Sequence, residues 1–334
     1  MIHAYNGSTA DALWRLAWKD VLGATTARKN INKGDSSEVL HVAFGLSDPR
    51  QRLVFSRVPG VNPAFAIAEV VWILRGRRDS GFLKPWNSAL SSFTGTEDEL
   101  HGAYGYRLRN HLEFDQLVGA ASALQNDPNQ RQVVLQIWDA KVDAPQVDGK
   151  PRSEDIPCNV FALLKVVDGR LDWLQVMRSN DLVLGLPYNL FQWTTIQEVV
   201  AGWLGVDLGS YNHISDSLHV YDRDRAKYQV AESNGHFDNP DDLRLPLQES
   251  EKVFRILEKA IEDLAQCTAP TEVNMVVHGA QVPDVYLNWL QVMAAERLRR
   301  IKQCQLSDEM VKKIKNPALK KSFEVWSSRF RADQ

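Results

Sequence analysis

The sequence predicts an α+β fold, in which a mixed β-sheet is flanked by helices and followed by a helical C-terminal extension. Strand-like runs rich in β-branched residues, such as residues 132–138, are interspersed with amphipathic helices without regular alternation. Asp168-Gly169 separates two apolar runs, 159–167 and 170–178, which is typical of a hairpin with a type I′ turn. After about residue 240 the apolar spacing becomes helical throughout.

Local signals predict the elements in chain order. Residues 8–22 indicate a first helix, with Ser8 and Asp11 as a capping box. Short strands are expected over 39–46 and 52–55, and a helix over 63–74 with Pro63 in its first turn and Gly76 after its end. Further helices are expected over 114–125 and 189–204, and residues 219–224 end another strand.

We interpret residues 1–240 as the mixed α/β body and 241–334 as the helical extension, which can also pack as part of the same domain.

The amino-acid composition argues against several classes of protein. The 39 basic and 42 acidic residues give a net charge of −3, so bulk charge indicates neither a nucleic-acid partner nor a membrane surface. Three widely spaced cysteines suggest neither a disulfide framework nor a metal site. The N-terminus has no signal-peptide pattern and no apolar run is long enough to span a bilayer. We therefore expect a cytoplasmic protein.

Residues 156–193 carry the most informative chemistry. Cys158 stands at the start of a strand, and Arg178-Ser179 with Asp181 follows at the end of the partner strand. A thiolate is a strong nucleophile, and a nearby guanidinium lowers its pKa. The guanidinium and hydroxyl of the Arg-Ser pair suit a phosphate dianion. This segment predicts a nucleophile beside an anion site.

Polar residues further along complete a nucleotide-like set. Asn189 lies in a Gly-x-Pro-x-Asn turn that enters a helix, and its amide can donate and accept together, as the N3–H and O4 edge of uracil requires. His219 and Tyr221 alternate along a strand, so both point to one face and can bind sugar hydroxyls. Together with Cys158 they describe a nucleotide pocket with a nucleophile beside the base.

These motifs resemble those of the thymidylate synthase and pyrimidine nucleotide hydroxymethylase family. The resemblance spans roughly residues 60–225. It rests on segments in the family's order and spacing, namely Pro157-Cys158, Met177-Arg178-Ser179-Asn180-Asp181, Leu184-Gly185-Leu186-Pro187-Tyr188-Asn189 and His219-Val220-Tyr221, with 69–76, 103–109 and 126–138 upstream. Any one motif is weak, but six in the right order are specific.

The resemblance implies that Cys158 adds to C6 of a uracil nucleotide, with dUMP favoured, so that C5 can accept a carbon from 5,10-methylenetetrahydrofolate. It implies no metal, and a homodimer in which Arg131 reaches the phosphate of the partner subunit. The residues implied in catalysis are Cys158, Glu69, Tyr104, Asp181 and Asn189. Those implied in substrate binding are Arg178, Ser179, Arg131, Asn189, His219 and Tyr221. Those implied in folate binding are Trp86, Asp181, Gly185 and Glu69.

The sequence also departs from the family. Residues 25–36 replace the family's N-terminal phosphate loop, and Arg28 is the candidate substitute ligand there. Asn159 stands where synthases usually have His, and the extension replaces the C-terminal tail that closes over folate. Methylation is the first prediction. Hydroxymethylation of dUMP, or less favoured dCMP or CMP, is the alternative, because a polar Asn159 and a rebuilt wall can admit water.

Taken singly, these residues have ordinary structural interpretations. A lone Cys158 is more often a small buried hydrophobe, Arg178 with Asp181 can form an ion pair, and Glu69 can be a satisfied buried acid. Two further functions stay open at this point. One is a hydrolase with Cys158 and His219 as a dyad, in which the Arg-Ser-x-Asp motif has no role. The other is a non-catalytic nucleotide-binding regulator.

Overall fold

The structure is a computed structural model that describes residues 2–23, 34–91, 95, 97–232 and 237–330, and the backbone of 27–28. Its strands are β1 (His3–Gly7), β2 (Ala27–Arg28), β3 (Ser36–Leu46), β4 (Arg57–Val58), β5 (Val134–Gln136), β6 (Asn159–Val167), β7 (Arg170–Met177), β8 (Asn180–Asp181), β9 (Asp207–Tyr221) and β10 (Gln229–Val230). Its helices are α1 (Ala10–Gly23), α2 (Pro63–Leu74), α3 (Tyr104–Arg109), α4 (Gln116–Asn126), α5 (Ala140–Asp143), α6 (Leu186–Leu204), α7 (Asp222–Arg225), α8 (Leu247–Gln266), α9 (Pro270–Gly279), α10 (Asp284–Arg300), α11 (Cys304–Lys313) and α12 (Pro317–Ser328).

A mixed sheet forms the centre of the molecule. Its strands lie in the order β1-β3-β9-β7-β6-β5, with β2 on β3 and β8 on β9. The β1–β3, β7–β9 and β8–β9 pairs are parallel, whereas the β3–β9, β6–β7 and β5–β6 pairs are antiparallel. Mixed pairing without regular βαβ units confirms the predicted α+β class.

The predicted hairpin is confirmed in register and turn. Strands β6 and β7 pair from Asn159 opposite Met177 to Val167 opposite Arg170. Asp168 and Gly169 have φ values of 49° and 71°, as a type I′ turn requires. The hairpin therefore places the residue before β6, Cys158, beside the residue after β7, Arg178.

Helices α2 and α6 form the layer behind the sheet. Asn62 caps α2 by accepting hydrogen bonds from two backbone N–H groups, and Pro63 opens the helix. Gly76 follows it at φ 64°, as predicted. Helix α6 ends at Gly205, which has φ 70°. Nearly every side chain of these two helices is buried, so they make a rigid support for the pocket.

Three local predictions were wrong or too long. Residues 52–55 form no strand. The capping box of Ser8 and Asp11 is not formed, because Thr9 Oγ1 accepts the N–H of Ala12 while Asp11 accepts the backbone N–H groups of Phe55 and Ser56. The strand expected over 132–138 is limited to β5 (Val134–Gln136). In the first two cases a distant part of the chain supplied a better partner than the local one.

The C-terminal helices pack directly on the body. Helix α8 buries Val253, Leu257 and Ile261, and it contacts α2 and α6. Phe254, Tyr286 and Trp289 form a cluster of edge-to-face aromatic contacts. The ring of Phe191, on α6, reaches this cluster at 6.4 Å from that of Trp289. The division into residues 1–240 and 241–334 stays a prediction, and the two parts share one continuous core.

One face of the sheet carries apolar residues outside that core. Two cross-strand rows run across β5, β6, β7 and β9, because each residue lies opposite the next in register. The first row is Val134, Leu163 and Leu174, and the second is Phe161, Val176 and Ile214. The side chain of Val134 is exposed and the other five are partly exposed.

Candidate active site

The thiol of Cys158 lies beside the guanidinium of Arg178. Arg178 Nη2 is 3.9 Å from the sulfur, and the backbone N–H of Arg178 donates to the carbonyl of Cys158 at 2.9 Å. The same guanidinium donates to the carbonyls of Pro157 and Ile156, both at 3.0 Å. A fixed positive charge at this distance stabilises the thiolate, which is the reactive form of cysteine. Cys158 is partly exposed, so a ligand can reach it.

Tyr104 enters the same space from α3. Burial raises the pKa of its hydroxyl, and the nearby Cys158 raises that pKa further, while a hydrogen bond from the Asn159 side chain opposes both effects. The tyrosine therefore stays a neutral donor and acceptor next to the sulfur. Gly105 makes this position possible, because a Cβ there would lie 2.6 Å from the Cα of Ile73 on α2.

Glu69 projects from the buried helix α2. Burial raises the pKa of its carboxyl from 4.5 to about 8, and a hydrogen bond from Gln192 on α6 opposes the rise. Among the residues that the structure describes, Glu69 Oε2 is buried without a hydrogen-bond partner. A carboxyl with this pKa is mostly protonated near neutral pH, so it can give a proton as well as take one.

A row of hydrogen bonds fixes the orientation of Asn159. Trp173 Nε1 donates to Gln175 Oε1 at 3.0 Å, and Gln175 Nε2 donates to Asn159 Oδ1 at 3.0 Å. Since the oxygen of Asn159 is occupied, its Nδ2 must point the other way. That nitrogen is buried and faces the Tyr104 hydroxyl.

Asn189 is held by a neighbour that sequence reasoning missed. Asn189 Nδ2 donates to Asn180 Oδ1 at 3.1 Å, and Asn180 Nδ2 lies 3.1 Å from His213 Nε2 and 3.2 Å from Ser215 Oγ. Burial lowers the pKa of His213 to about 3, so the ring is neutral and can accept from Asn180. Asn189 keeps its Oδ1 and one N–H for a ligand.

Asp181, His219 and Tyr221 lie together at the junction of β8 and β9. Asp181 pairs with His219 in register, and Asp181 Oδ1 accepts the N–H groups of Val183 and Leu184 at 2.8 Å each. Burial raises the pKa of Asp181, opposed by those N–H groups and by His219. The rings of His219 and Tyr221 are 5.0 Å apart, so the two side chains share one face, as the alternation predicts.

Gly185 packs against Asn180 and Asp181, and Trp86 lies on a separate segment that is bonded to the start of α2. A Cβ at Gly185 would lie 2.9 Å from Asn180 Oδ1, so only glycine fits. The side chain of Trp86 is buried, and its Nε1 has no hydrogen-bond partner among the described residues. The carbonyl of Trp86 accepts from Asn62 Nδ2 at 3.0 Å.

The residues predicted to bind phosphate are not all brought together. Ser179 follows Arg178 and is partly exposed. Arg131 is exposed and adjoins Gln130, whose carbonyl accepts from Lys165 Nζ at 3.4 Å. Lys165 is seven residues along β6 from Cys158, which places Arg131 roughly 20 Å from the thiol within one chain. Arg28 lies in β2, but its side chain is outside the described part of the structure.

In the residue ranges that the structure describes, no group of three or more His, Cys, Asp or Glu residues is arranged to hold a metal ion. None of the helices in those ranges combines the length and the apolar character needed to cross a membrane.

The fold and the site define a class of protein with a mixed sheet that carries a partly exposed cysteine beside a guanidinium. The thymidylate synthase family model matches residues 29–301. This match covers most of the chain, which therefore belongs to the thymidylate synthase family.

Individual relatives cover less of the sequence. The chain is 38% identical over 195 residues to a deoxyuridylate hydroxymethyltransferase of Bacillus phage SP01, covering 55% of this chain and 50% of that protein. It is 34% identical over 176 residues to a protein of the same name from Pseudomonas phage M6, covering 52% of this chain and 49% of that protein. A thymidylate synthase of Clostridium beijerinckii is 28% identical over 179 residues, covering 52% and 64%. The chain thus spans about half the length of the phage relatives.

Proposed function

We propose that the protein transfers a one-carbon unit from 5,10-methylenetetrahydrofolate to C5 of dUMP and releases a hydroxymethylated product. The observation that carries this proposal is the Cys158 thiol, which lies 3.9 Å from the Arg178 guanidinium and beside Tyr104. Higher identity to two phage hydroxymethyltransferases than to the bacterial synthase favours hydroxymethyl over methyl transfer. Methylation, the first prediction from the motifs, is the second candidate.

The first step is nucleophilic addition by Cys158. The thiolate forms a bond to C6 of the uracil ring, and the electron pair of the C5–C6 double bond moves toward C5 and O4. Asn189 orients the base, because its Oδ1 accepts the N3–H and its remaining N–H donates to O4. The hydrogen bond from Asn189 to Asn180 fixes which amide atom faces the base. Arg178 keeps the sulfur ionised before the attack.

Glu69 and Tyr104 handle the protons. The protonated Glu69 carboxyl donates toward O4 through water as charge develops there. The neutral Tyr104 hydroxyl, next to the sulfur, orients the water that takes the proton from C5 once the new carbon–carbon bond has formed. Both roles need groups that are neutral near pH 7, and burial gives both side chains that state.

The pocket has suitable groups for the folate co-substrate, which supplies the carbon at the oxidation level of formaldehyde. Asp181 supplies a carboxyl group, and Trp86 supplies a large flat ring whose indole N–H has no hydrogen-bond partner among the described residues. Glu69 Oε2 is a further buried polar atom without a partner in the described chain. A polar heterocycle stacked on an aromatic ring would meet these requirements.

As the new carbon–carbon bond forms and C5 loses its proton, the bonds from the transferred carbon to the folate nitrogens break and tetrahydrofolate leaves, so an exocyclic methylene remains on C5. The product depends on what reaches that methylene carbon. In hydroxymethyl transfer, a water oxygen bonds to that carbon, the water loses a proton, and the C6–S bond breaks to release the Cys158 thiolate. Asn159 favours this outcome, because its fixed and buried Nδ2 can bind a water beside Tyr104. Methyl transfer needs a hydride at the same carbon and therefore a drier site.

A homodimer across the open face of the sheet completes the proposal. The apolar rows of Val134, Leu163, Leu174, Phe161, Val176 and Ile214 form a patch outside the core, as an interface between two copies would require. Arg131 lies exposed just before β5 at the edge of this patch, too far from Cys158 of its own chain to bind the same nucleotide. A two-fold axis through the patch would bring Arg131 of the partner subunit to the phosphate.

The test is incubation of the full chain with dUMP and 5,10-methylenetetrahydrofolate, followed by mass spectrometry of the nucleotide. A hydroxymethyl product with tetrahydrofolate supports the first proposal. A methyl product with dihydrofolate supports the second. Cys158→Ala is the control. Turnover by that variant, or the absence of any folate-dependent product, would contradict both.

Asn159→His separates the two outcomes further. If Asn159 binds the attacking water, the substitution should lower the rate at which hydroxymethyl product forms more than it lowers the affinity for the nucleotide. An unchanged product ratio and rate would remove Asn159 from the argument while leaving the one-carbon transfer in place.

A further inference from the structure

The C-terminal helices reach the segment that carries Trp86 through a buried ion cluster. Glu296 on α10 is fully buried. Arg299 donates to both of its oxygens at 2.8 Å, and Arg300 Nε donates to Oε1 at 2.7 Å. Trp326 Nε1 on α12 donates to Oε2 at 3.1 Å. One carboxylate therefore ties two helices and two arginines together.

Arg300 extends this cluster to the body. While its Nε binds Glu296, its Nη2 donates to the carbonyl of Trp86 at 2.8 Å. The same carbonyl accepts from Asn62 Nδ2, and Asn62 also caps α2. Trp86 is thus held from two sides, once by the helix that carries Glu69 and once by the C-terminal helices.

A second contact between the C-terminal helices and the body is made at Gly60. A Cβ at Gly60 would lie 2.8 Å from the backbone nitrogen of Trp326, so α12 packs closely on this loop. The carbonyl of Gly60 accepts from the buried Arg57, which also donates to the carbonyl of Val183. Val183 N–H binds Asp181. The extension is therefore linked to Trp86 and Asp181, two of the residues that the proposed function assigns to folate.

We propose that Arg300 is a positioning residue for the folate site, fixing the Trp86 segment that the proposed function assigns to that site. This inference rests on the proposed function. Its physical basis is that one guanidinium joins a buried carboxylate to a backbone carbonyl, and a charge-assisted hydrogen bond of this kind is stronger than a neutral one. The C-terminal helices then form part of the substrate pocket as well as packing on it.

Arg299 offers a matched control. It binds the same carboxylate on the same helix, but its guanidinium lies 3.8 Å from the centre of the Phe330 ring and makes no hydrogen bond to Trp86. Arg300→Ala and Arg299→Ala each remove one partner of Glu296, and only the first removes the contact with Trp86. Arg300→Lys is a second variant, which keeps a positive charge for Glu296 but lacks the second guanidinium nitrogen that donates to the carbonyl of Trp86.

Hydrogen exchange of the peptide covering residues 80–91 is the first readout, because it needs no ligand. We expect faster exchange in Arg300→Ala and Arg300→Lys and unchanged exchange in Arg299→Ala. The second readout is the affinity for methylenetetrahydrofolate of protein loaded with 5-fluoro-dUMP. Loss of the hydrogen bond should weaken it about tenfold in the Arg300 variants, with dUMP affinity unchanged.

Equal effects of the Arg299 and Arg300 substitutions on both readouts would show that the cluster only stabilises the fold, and would overturn the inference. So would unchanged exchange over residues 80–91 in both Arg300 variants. If the unsubstituted protein binds dUMP but no folate, the proposed function fails. The exchange comparison then still decides whether Arg300 holds the Trp86 segment.

Discussion

Replacing Glu69 by glutamine should stabilise the protein while it slows the reaction. Burial raises the pKa of the Glu69 carboxyl from 4.5 to about 8 in the folded state. The folded protein therefore disfavours the carboxylate form of Glu69. This lowers the free energy of unfolding only at pH values where the unfolded chain would ionise the group. This cost is absent below about pH 4.5, grows as the pH rises, and is complete above about pH 8.

The difference between the two pKa values corresponds to about 5 kcal/mol. Glu69 is partly exposed, so solvent in the pocket screens part of this cost, and about 2 kcal/mol is the expected size. Glutamine carries no charge at any pH and has an amide that can donate to Gln192 Oε1, a buried atom without a partner among the described residues. Glu69→Gln should therefore match the unsubstituted protein near pH 4 and exceed it by about 2 kcal/mol near pH 9.

Urea denaturation at a series of pH values measures this difference. Glu309→Gln, at an exposed position on α11, is the control for losing a carboxylate elsewhere. Turnover of Glu69→Gln should fall by about a hundredfold or more if the carboxyl relays protons. A stability difference that does not grow with pH, or a variant less stable at every pH, would refute the argument from burial.

Three further predictions concern other parts of the pocket. Cys158→Ser should retain nucleotide binding but give no covalent adduct with 5-fluoro-dUMP and the folate, as seen by mass spectrometry of the intact chain. Asn189→Asp should shift the preference from dUMP toward dCMP by tenfold or more in competition assays, because a protonated carboxyl suits the cytosine edge. Gly105→Ala should cost about 1–3 kcal/mol, because its Cβ meets the backbone of Ile73. Gly119→Ala, whose Cβ meets nothing within 4 Å, should be neutral or slightly stabilising in the same denaturation assay.

Local signals were enough to predict the hairpin and the two central helices. Asp168-Gly169 needs positive φ at both positions, and Pro63 and Gly76 mark the ends of α2, so neighbours in sequence determine these structures. The segment 52–55 could not be predicted in the same way. Arg52 is buried against Glu198, which lies 146 residues further along the chain, and no local pattern reports such a partner.

The motif residues of the site could be predicted from the sequence, but the residues that hold them in position could not. Cys158 and Arg178 follow from the hairpin register once the motifs are recognised. Asn180 stands at the unassigned position of Arg-Ser-x-Asp, and its contact with His213 spans 33 residues across separate strands. A polar residue at an inward position of β9 was the available signal, and it acquires meaning only when the parallel pairing of β7 with β9 is known. The contact of Arg300 with Trp86 gave no signal, because that partner is a backbone carbonyl.

The position of Arg178 has a consequence for charge balance. Its single positive charge already faces the sulfur of Cys158, and two of its donors are engaged by the carbonyls of Pro157 and Ile156. A nucleotide phosphate brings a charge between about −1.5 and −2. If Arg178 alone met this dianion, substrate binding would draw its cation away from the thiolate and make the nucleophile weaker at the moment it is needed. A second cation, supplied by Arg131 of the partner subunit, would restore the balance, so an isolated subunit would bind its substrate and lose reactivity by doing so.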